Sequence, residues 1–309
     1  MTLPVIFLMG PTASGKTATA LALFESQPVE IVSVDSAQIY RGMNIGTAKP
    51  TPDVLRRAPH HLLDILEPTE TYSAAQFCKD AKRLIEEIMA RSKIPLLVGG
   101  TMLYFSALAE GLSALPGSNA HLRKTLEERA NKLGWANLHT ELGRVDPILA
   151  ERINVADTQR IQRALEVYYS TGVPMSQLQQ QGGAALTERI IKVALIPSDR
   201  ARLHEHIAQR FDVMLALGLI EEVEALRGKH ALTANHPSMK SVGYRQVWQY
   251  LEGELNTQAL REKGIAATRQ LAKRQLTWLR AIQAEEFDSL DPATAENVRC
   301  YLERELQHG

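Results

Sequence analysis

The chain has almost no cysteine: Cys78 and Cys300 are the only two in 309 residues. A disulfide framework and a cysteine-rich zinc site are thereby excluded, and a reducing, cytoplasmic setting is expected. There is no surplus charge of either sign, because 35 basic and 35 acidic residues cancel. A protein that holds nucleic acid through a global positive field is ruled out, so any basic footprint must be local. No stretch approaches the roughly 20 apolar residues that cross a bilayer, and the apolar start lacks the basic segment of a signal peptide. No membrane partner is expected. Internal repeats and coiled-coil heptads are also missing.

What is present begins with Gly10-Pro11-Thr12-Ala13-Ser14-Gly15-Lys16-Thr17, a full match to G-x-x-x-x-G-K-[ST]. The apolar run Val5 to Met9 leads in as a strand, and Ala18 to Phe24 leads out as a helix. Glycines let the loop approach an anion, successive backbone N–H groups point inward, and the helix start adds partial positive charge. Lys16 is placed to bridge phosphate oxygens, and the Thr17 hydroxyl to hold a Mg²⁺ shared with them. The alternative is a glycine-rich turn that binds nothing.

A second buried strand, Val29 to Val34, ends in Asp35-Ser36. In open parallel sheets the ligand crevice lies outside the carboxyl ends of the strands, so Asp35 should face the same cleft as the phosphate loop. Residues 36–72 are rich in turn formers and read as a long excursion over that cleft. Ser73 caps a helix to about Arg91, and Pro95 to Val98 form a third strand that delivers Gly99-Gly100-Thr101 to the same edge. Residues 116–189 offer helical signals and no strand, ending in a Gln-rich stretch, Gln177 to Gly183, that reads as a mobile link. Ile190 to Ile196 then returns as a strand. The expected architecture is α/β: a P-loop parallel-sheet core over 1–115 and 190–309, interrupted by a helical insertion over 116–189. The remaining helices are expected at Asp199 to Leu217, Ile220 to Gly228, Ser238 to Leu251 and about Thr257 to Glu286.

Ordinary phosphate-loop ATPases carry a second acidic strand end that holds the metal. Here the third strand ends without a carboxylate, which leaves Asp35 as a metal ligand, a base, or simply the cap of its own turn. Thr101 is equally an N-cap for the next helix and a substrate contact. Between 261 and 280, six basic side chains, Arg261, Lys263, Arg269, Lys273, Arg274 and Arg280, face the single acid Glu262. Such a run is either a solvated face or a surface that tracks phosphates, and Trp278 with Gly243-Tyr244-Arg245 favours the second. In the insertion, Arg160 and Arg163 share a helix edge while Ile161 falls on the apolar side.

These blocks together resemble the tRNA dimethylallyltransferases, the isopentenyl-diphosphate:tRNA transferases. The resemblance is carried by the phosphate loop, by Asp35-Ser36-Ala37-Gln38-Ile39-Tyr40, by Val98-Gly99-Gly100-Thr101, by Arg160-Ile161-Gln162-Arg163, by Val242-Gly243-Tyr244-Arg245-Gln246, and by Lys273-Arg274-Gln275-Leu276-Thr277-Trp278-Leu279-Arg280. It implies transfer of a dimethylallyl group from its diphosphate to N6 of adenosine 37 in a tRNA anticodon loop, by a monomer that uses Mg²⁺. It further implies that Asp35 acts as the base, with Thr101 and Lys16 beside the reacting groups. The implied tRNA contacts are Asp35, Ser36, Ala37, Gln38, Thr101, Arg123, Gln159, Arg160, Ile161, Gln162, Arg163 and the Gly243–Arg245 and Lys273–Arg280 blocks. Two other readings fit the loop alone: a small-molecule kinase, and an RNA-binding ATPase switch.

Overall fold

The structure is a computed structural model and describes residues 3–307. Val5–Met9 (β1) is apolar and buried at every position, the signature of an interior parallel strand. The chain passes through the phosphate loop into Lys16–Ser26 (α1) and then Val29–Val34 (β2). The excursion that follows holds Pro52–Arg57 (α2), capped by Thr51, and a short strand, His60–His61 (β3). Ala74–Ala90 (α3) opens with a capping box between Ser73 and Gln76 and buries Phe77, Ala81, Leu84, Ile85 and Ile88 at helical spacing. Ile94–Gly99 (β4) and Met102–Glu110 (α4) follow.

Next come five helices: Ala120–Leu133 (α5), Trp135–Val145 (α6), Pro147–Arg152 (α7), Thr158–Thr171 (α8) and Met175–Gln180 (α9). They belong to a compact unit, Ala107–Leu186, whose core gathers Leu126, Leu138, Leu142, Ile161 and Leu165. The Gln-rich stretch expected as a mobile link is in part helix α9. Buried Asp146 explains the order, since its Oδ1 accepts from Leu149 N (3.1 Å) to cap α7 while Oδ2 accepts from Ser176 N (2.8 Å) in α9.

Ile190–Ile196 (β5) resumes the sheet, followed by Arg200–Ala216 (α10), Leu219–Lys229 (α11), Tyr244–Leu251 (α12), Thr257–Leu279 (α13), Glu285–Asp288 (β6) and Thr294–Gln307 (α14). Two expectations fail here. The helix expected from Ser238 starts only at Tyr244, after Gly243 at φ +90°. The helix expected to run to Glu286 stops at Leu279, and residues 285–288 pair with β5 instead.

Met1–Ser106 and Thr187–Gly309 form the other compact unit. Its sheet has the order β3-β2-β4-β1-β5-β6, and every pairing is parallel. Helices α1 and α14 cover one face through Leu23, Val298 and Leu302 against Ile6, Leu8, Ile31 and Leu96. Pairing of Met9 and of Val34 with Gly99 brings the phosphate loop, Asp35 and Thr101 out at one edge of the sheet. No helix among the described residues is long and apolar enough to cross a membrane.

Candidate active site

Above that edge lies a cavity of ≈ 670 Å³. The phosphate loop forms its floor, because Gly10 allows a turn that no side chain would: a Cβ there would lie 2.6 Å from Ser14 Oγ and 3.0 Å from Leu195 O. Gly15, at φ +76°, caps α1 without a side-chain bond, so the first-turn N–H groups remain open to an anion. Lys16 Nζ donates to Gly10 O (2.9 Å) and Pro11 O (2.6 Å). Burial pushes the pKa of this ammonium down to about 7; the neighbouring Arg210 charge adds to the fall and Asp35 opposes it.

Asp35 lines the same cavity. Its Oδ1 accepts from Ala37 N (2.8 Å) and Gln38 N (3.1 Å), the turn cap that one sequence reading allows. Among the described residues Oδ2 has no such bond, so the carboxylate is fixed by one oxygen and the other is unpartnered. Thr101 Oγ1 accepts from Ser36 N (3.1 Å), which ties the end of β4 to the Asp35 turn and keeps the hydroxyl proton for another partner. Gly99 makes this approach possible, since a Cβ there would come 2.0 Å from Val34 O.

Another wall is the loop through Gly46, Thr47 and Ala48. Glu222 of α11 gathers it, accepting from Asn44 N (2.9 Å), Ile45 N (2.8 Å) and Gly46 N (3.3 Å) as well as from Tyr244 OH (2.5 Å). Gln38 Nε2 donates to Thr47 O (3.1 Å), so this wall and the Asp35 turn are one hydrogen-bonded piece.

Two residues of the cavity escape a reading of local motifs. Arg210 projects into the cavity from α10, and burial lowers its pKa while Asp35 raises it. Among the described residues it makes no hydrogen bond or ion pair, which leaves its donors for a ligand. The sequence does carry a trace of it: Ile207, Arg210, Phe211 and Met214 share one helix face, and Arg210 is the lone cation among apolar neighbours. The other is Gln275, whose Oε1 accepts from Thr12 N (2.8 Å) while Nε2 donates to Gly100 O (2.9 Å). This side chain, 8% exposed, staples the phosphate loop to the end of β4.

Gln275 is therefore corrected from an RNA contact to a part of the cradle. Leu279, 1% exposed, Ile161 and Tyr244, both 0%, are likewise withdrawn as contacts, because each is core on its own helix. Lys273, Arg274, Thr277, Trp278 and Arg280 are exposed on the other side of α13, Leu276 is half-buried, and Arg245 is exposed on α12. Arg261 drops out of the basic face because it forms a two-pronged pair with Asp212 (2.6 and 2.8 Å). In the insertion Gln159 and Arg160 are exposed, Arg160 beside Asp157. Arg123 and Arg163 both bond fully buried Glu166 (3.0 and 2.8 Å), and Gln162 donates to Arg123 O (3.1 Å). Gly243, Ser36, Ala37 and Gln38 line the cavity.

Gln275→Ala should leave Thr12 N–H without its acceptor, a loss of about 1–3 kcal/mol at the loop. We expect KM for the phosphate-bearing substrate to rise about tenfold and the unfolding temperature to fall by a few degrees, read by steady-state kinetics and thermal denaturation.

The model of the IPP transferase family matches residues 38–282. The tRNA dimethylallyltransferase of Thiobacillus denitrificans is 58% identical over 278 residues, covering 90% of this chain and 89% of that protein. That of Nitrosospira multiformis is 55% identical over 301 residues, covering 97% and 93%. Among solved structures, the tRNA isopentenylpyrophosphate transferase of Bacillus halodurans superposes with a TM-score of 0.72 at 32% identity, over 99% of this chain and 97% of that one. With a family model over most of its length and relatives above half identity along nearly the whole chain, the protein belongs to the IPP transferase family, that of the tRNA dimethylallyltransferases.

Proposed function

We infer that this prenyltransferase moves a dimethylallyl group from dimethylallyl diphosphate to N6 of adenosine 37 in the tRNA anticodon loop, releasing diphosphate. The observation that carries the reading is a carboxylate with one free oxygen, Asp35, in one cavity with an anion cradle. An exocyclic adenine amine is a weak nucleophile because its lone pair is delocalised into the ring. As the N6–carbon bond forms, the Asp35 Oδ2 is placed to take the amine proton. As the allylic carbon–oxygen bond breaks, charge gathers on the diphosphate, where the loop N–H groups, Lys16 and Arg210 stabilise it. The Thr101 hydroxyl is available to orient the amine. The target nucleotide must leave the stacked loop to reach so enclosed a place.

A Mg²⁺ fits this donor set. The Thr17 hydroxyl is exposed at the cavity and unbonded, and no cluster of three or more His, Cys, Asp or Glu residues capable of holding a metal occurs among the described residues. A small cation that keeps most of its waters and leans on substrate phosphates suits such a site. When bound it would neutralise diphosphate charge.

The exposed α13 face supports a role in gripping the RNA backbone, as do exposed Gln159 and Arg160 of the insertion; Arg123 and Arg163, proposed as further contacts, would reach RNA only with the charge that Glu166 leaves them. Neutralising Lys273 and Arg274 together should weaken tRNA binding and flatten its salt dependence by about one log–log unit per lost phosphate contact. Binding isotherms across a salt series check this; an unchanged affinity and slope would make the face merely solvated. The assignment as a whole is tested by incubating the protein with unmodified tRNA and labelled dimethylallyl diphosphate or labelled ATP. Label from the first must appear on the tRNA; phosphate moving from the second would favour a kinase or ATPase.

A further inference from the structure

The cavity is lined by apolar side chains of α10 and α13 as well as by the phosphate loop. Along α13, Gln275 bonds the phosphate loop, Leu271 and Thr268 line the cavity, and Gly264 lies on the same face beyond them. At 1.5 Å of rise per residue these levels stand about 6, 10 and 16 Å from Gln275. Phe211 of α10 closes the far level, lining the cavity at 3% exposure. Its ring lies against the bare backbone of Gly264, where an added Cβ would meet ring atoms Cζ, Cε1 and Cε2 at 2.0–2.5 Å. The two helices are tied together at this level by the two-pronged Arg261–Asp212 pair and by fully buried Leu260. The ring thus lies between the α13 backbone and the cavity, and a methyl group at 264 would have to displace it.

We propose that Phe211, seated on Gly264, is the stop that limits the length of the prenyl tail the enzyme accepts. Resting on the donor inferred above, the dimethylallyl group leaves the phosphate loop and packs along Leu271 and Thr268, on the α13 face that leads to Phe211. One further isoprene unit runs into the ring. The chemistry is the same for either tail: the allylic carbon–oxygen bond breaks, the N6–carbon bond forms, the proton leaves N6 and diphosphate departs.

The test measures kcat/KM for dimethylallyl and geranyl diphosphate with unmodified tRNA, and inhibition by inorganic diphosphate, in wild type, Phe211→Ala, Phe211→Leu and Gly264→Ala. The ratio of geranyl to dimethylallyl transfer should rise about 10²-fold in Phe211→Ala and about tenfold in Phe211→Leu, the scale on which apolar pockets discriminate by size. In Gly264→Ala, kcat/KM for dimethylallyl diphosphate should fall about tenfold, while inhibition by inorganic diphosphate, which has no tail, stays within about twofold. A ratio is insensitive to how much protein is folded, and Phe211→Leu serves if the alanine variant does not fold. An active wild type whose Phe211 variants keep its ratio, or a Gly264→Ala equally weakened toward inorganic diphosphate, overturns the stop. A wild type that transfers no dimethylallyl group overturns the donor assignment beneath it.

Discussion

Asp35→Asn is expected to slow the chemical step by a factor of about 10² to 10⁴ while leaving substrate binding nearly intact. The substitution is unusually clean at this position. An Asn carbonyl can accept from Ala37 N and Gln38 N as Oδ1 does now, so the turn at the end of β2 keeps its shape. What changes is the second oxygen, which becomes an amide nitrogen that cannot take a proton from the adenine amine. Single-turnover rates across a Mg²⁺ titration separate this role from metal binding. If Asp35 is the base, added metal restores nothing. Substantial rescue at high Mg²⁺ would instead make it a metal ligand, and diphosphate affinity would then have fallen in the variant as well.

Lys16→Ala should cost about 10² to 10³ in kcat/KM for dimethylallyl diphosphate, because a charge aimed at the departing diphosphate is removed from an enclosed cleft. The fold should survive, since β1 and the core beneath it are untouched. The wild-type pH profile carries the same information with a definite sign. With its pKa pushed down to about 7, Lys16 in the free enzyme is a cation below that value and neutral above it. Hence kcat/KM should decline as pH rises through about 7, and the Lys16→Ala profile should lack that inflection. A variant that binds the diphosphate as wild type does would remove Lys16 from the cradle.

The parts of the site that sequence reveals are those whose partners are close along the chain. The phosphate loop is eight consecutive residues between a buried strand and a helix. Asp35 and Thr101 follow directly from the rule that parallel strands present their carboxyl ends together. Arg210 lies outside any such pattern. Its place in the cavity comes from standing near Lys16 and Asp35 in space, and a lone cation on an apolar helix face is only a faint signal of that. Gln275 sits inside a motif block that resemblance ties to RNA. Helical phase, which turns it toward Thr12 while Lys273 and Arg274 face out, becomes decisive only once the core side of α13 is known. The two edge strands were hidden for another reason. His60–His61 and Glu285–Asp288 have one neighbour each and remain partly exposed, so neither needs the apolar run that marks an interior strand.

The staple formed by Gln275 also has a meaning in time. The acceptor for Thr12 N–H is made 263 residues after the phosphate loop itself. Strand β1 waits in the same way for β5, its neighbour on one side, which emerges only after the whole insertion. Contacts of such long range form late and slowly. A ribosome-bound chain that ends before α13 displays the loop's full signature but has no staple to hold Thr12 and Gly100 together. The cradle therefore belongs to the finished chain, and a nascent one has little means of sequestering diphosphates before it can use them.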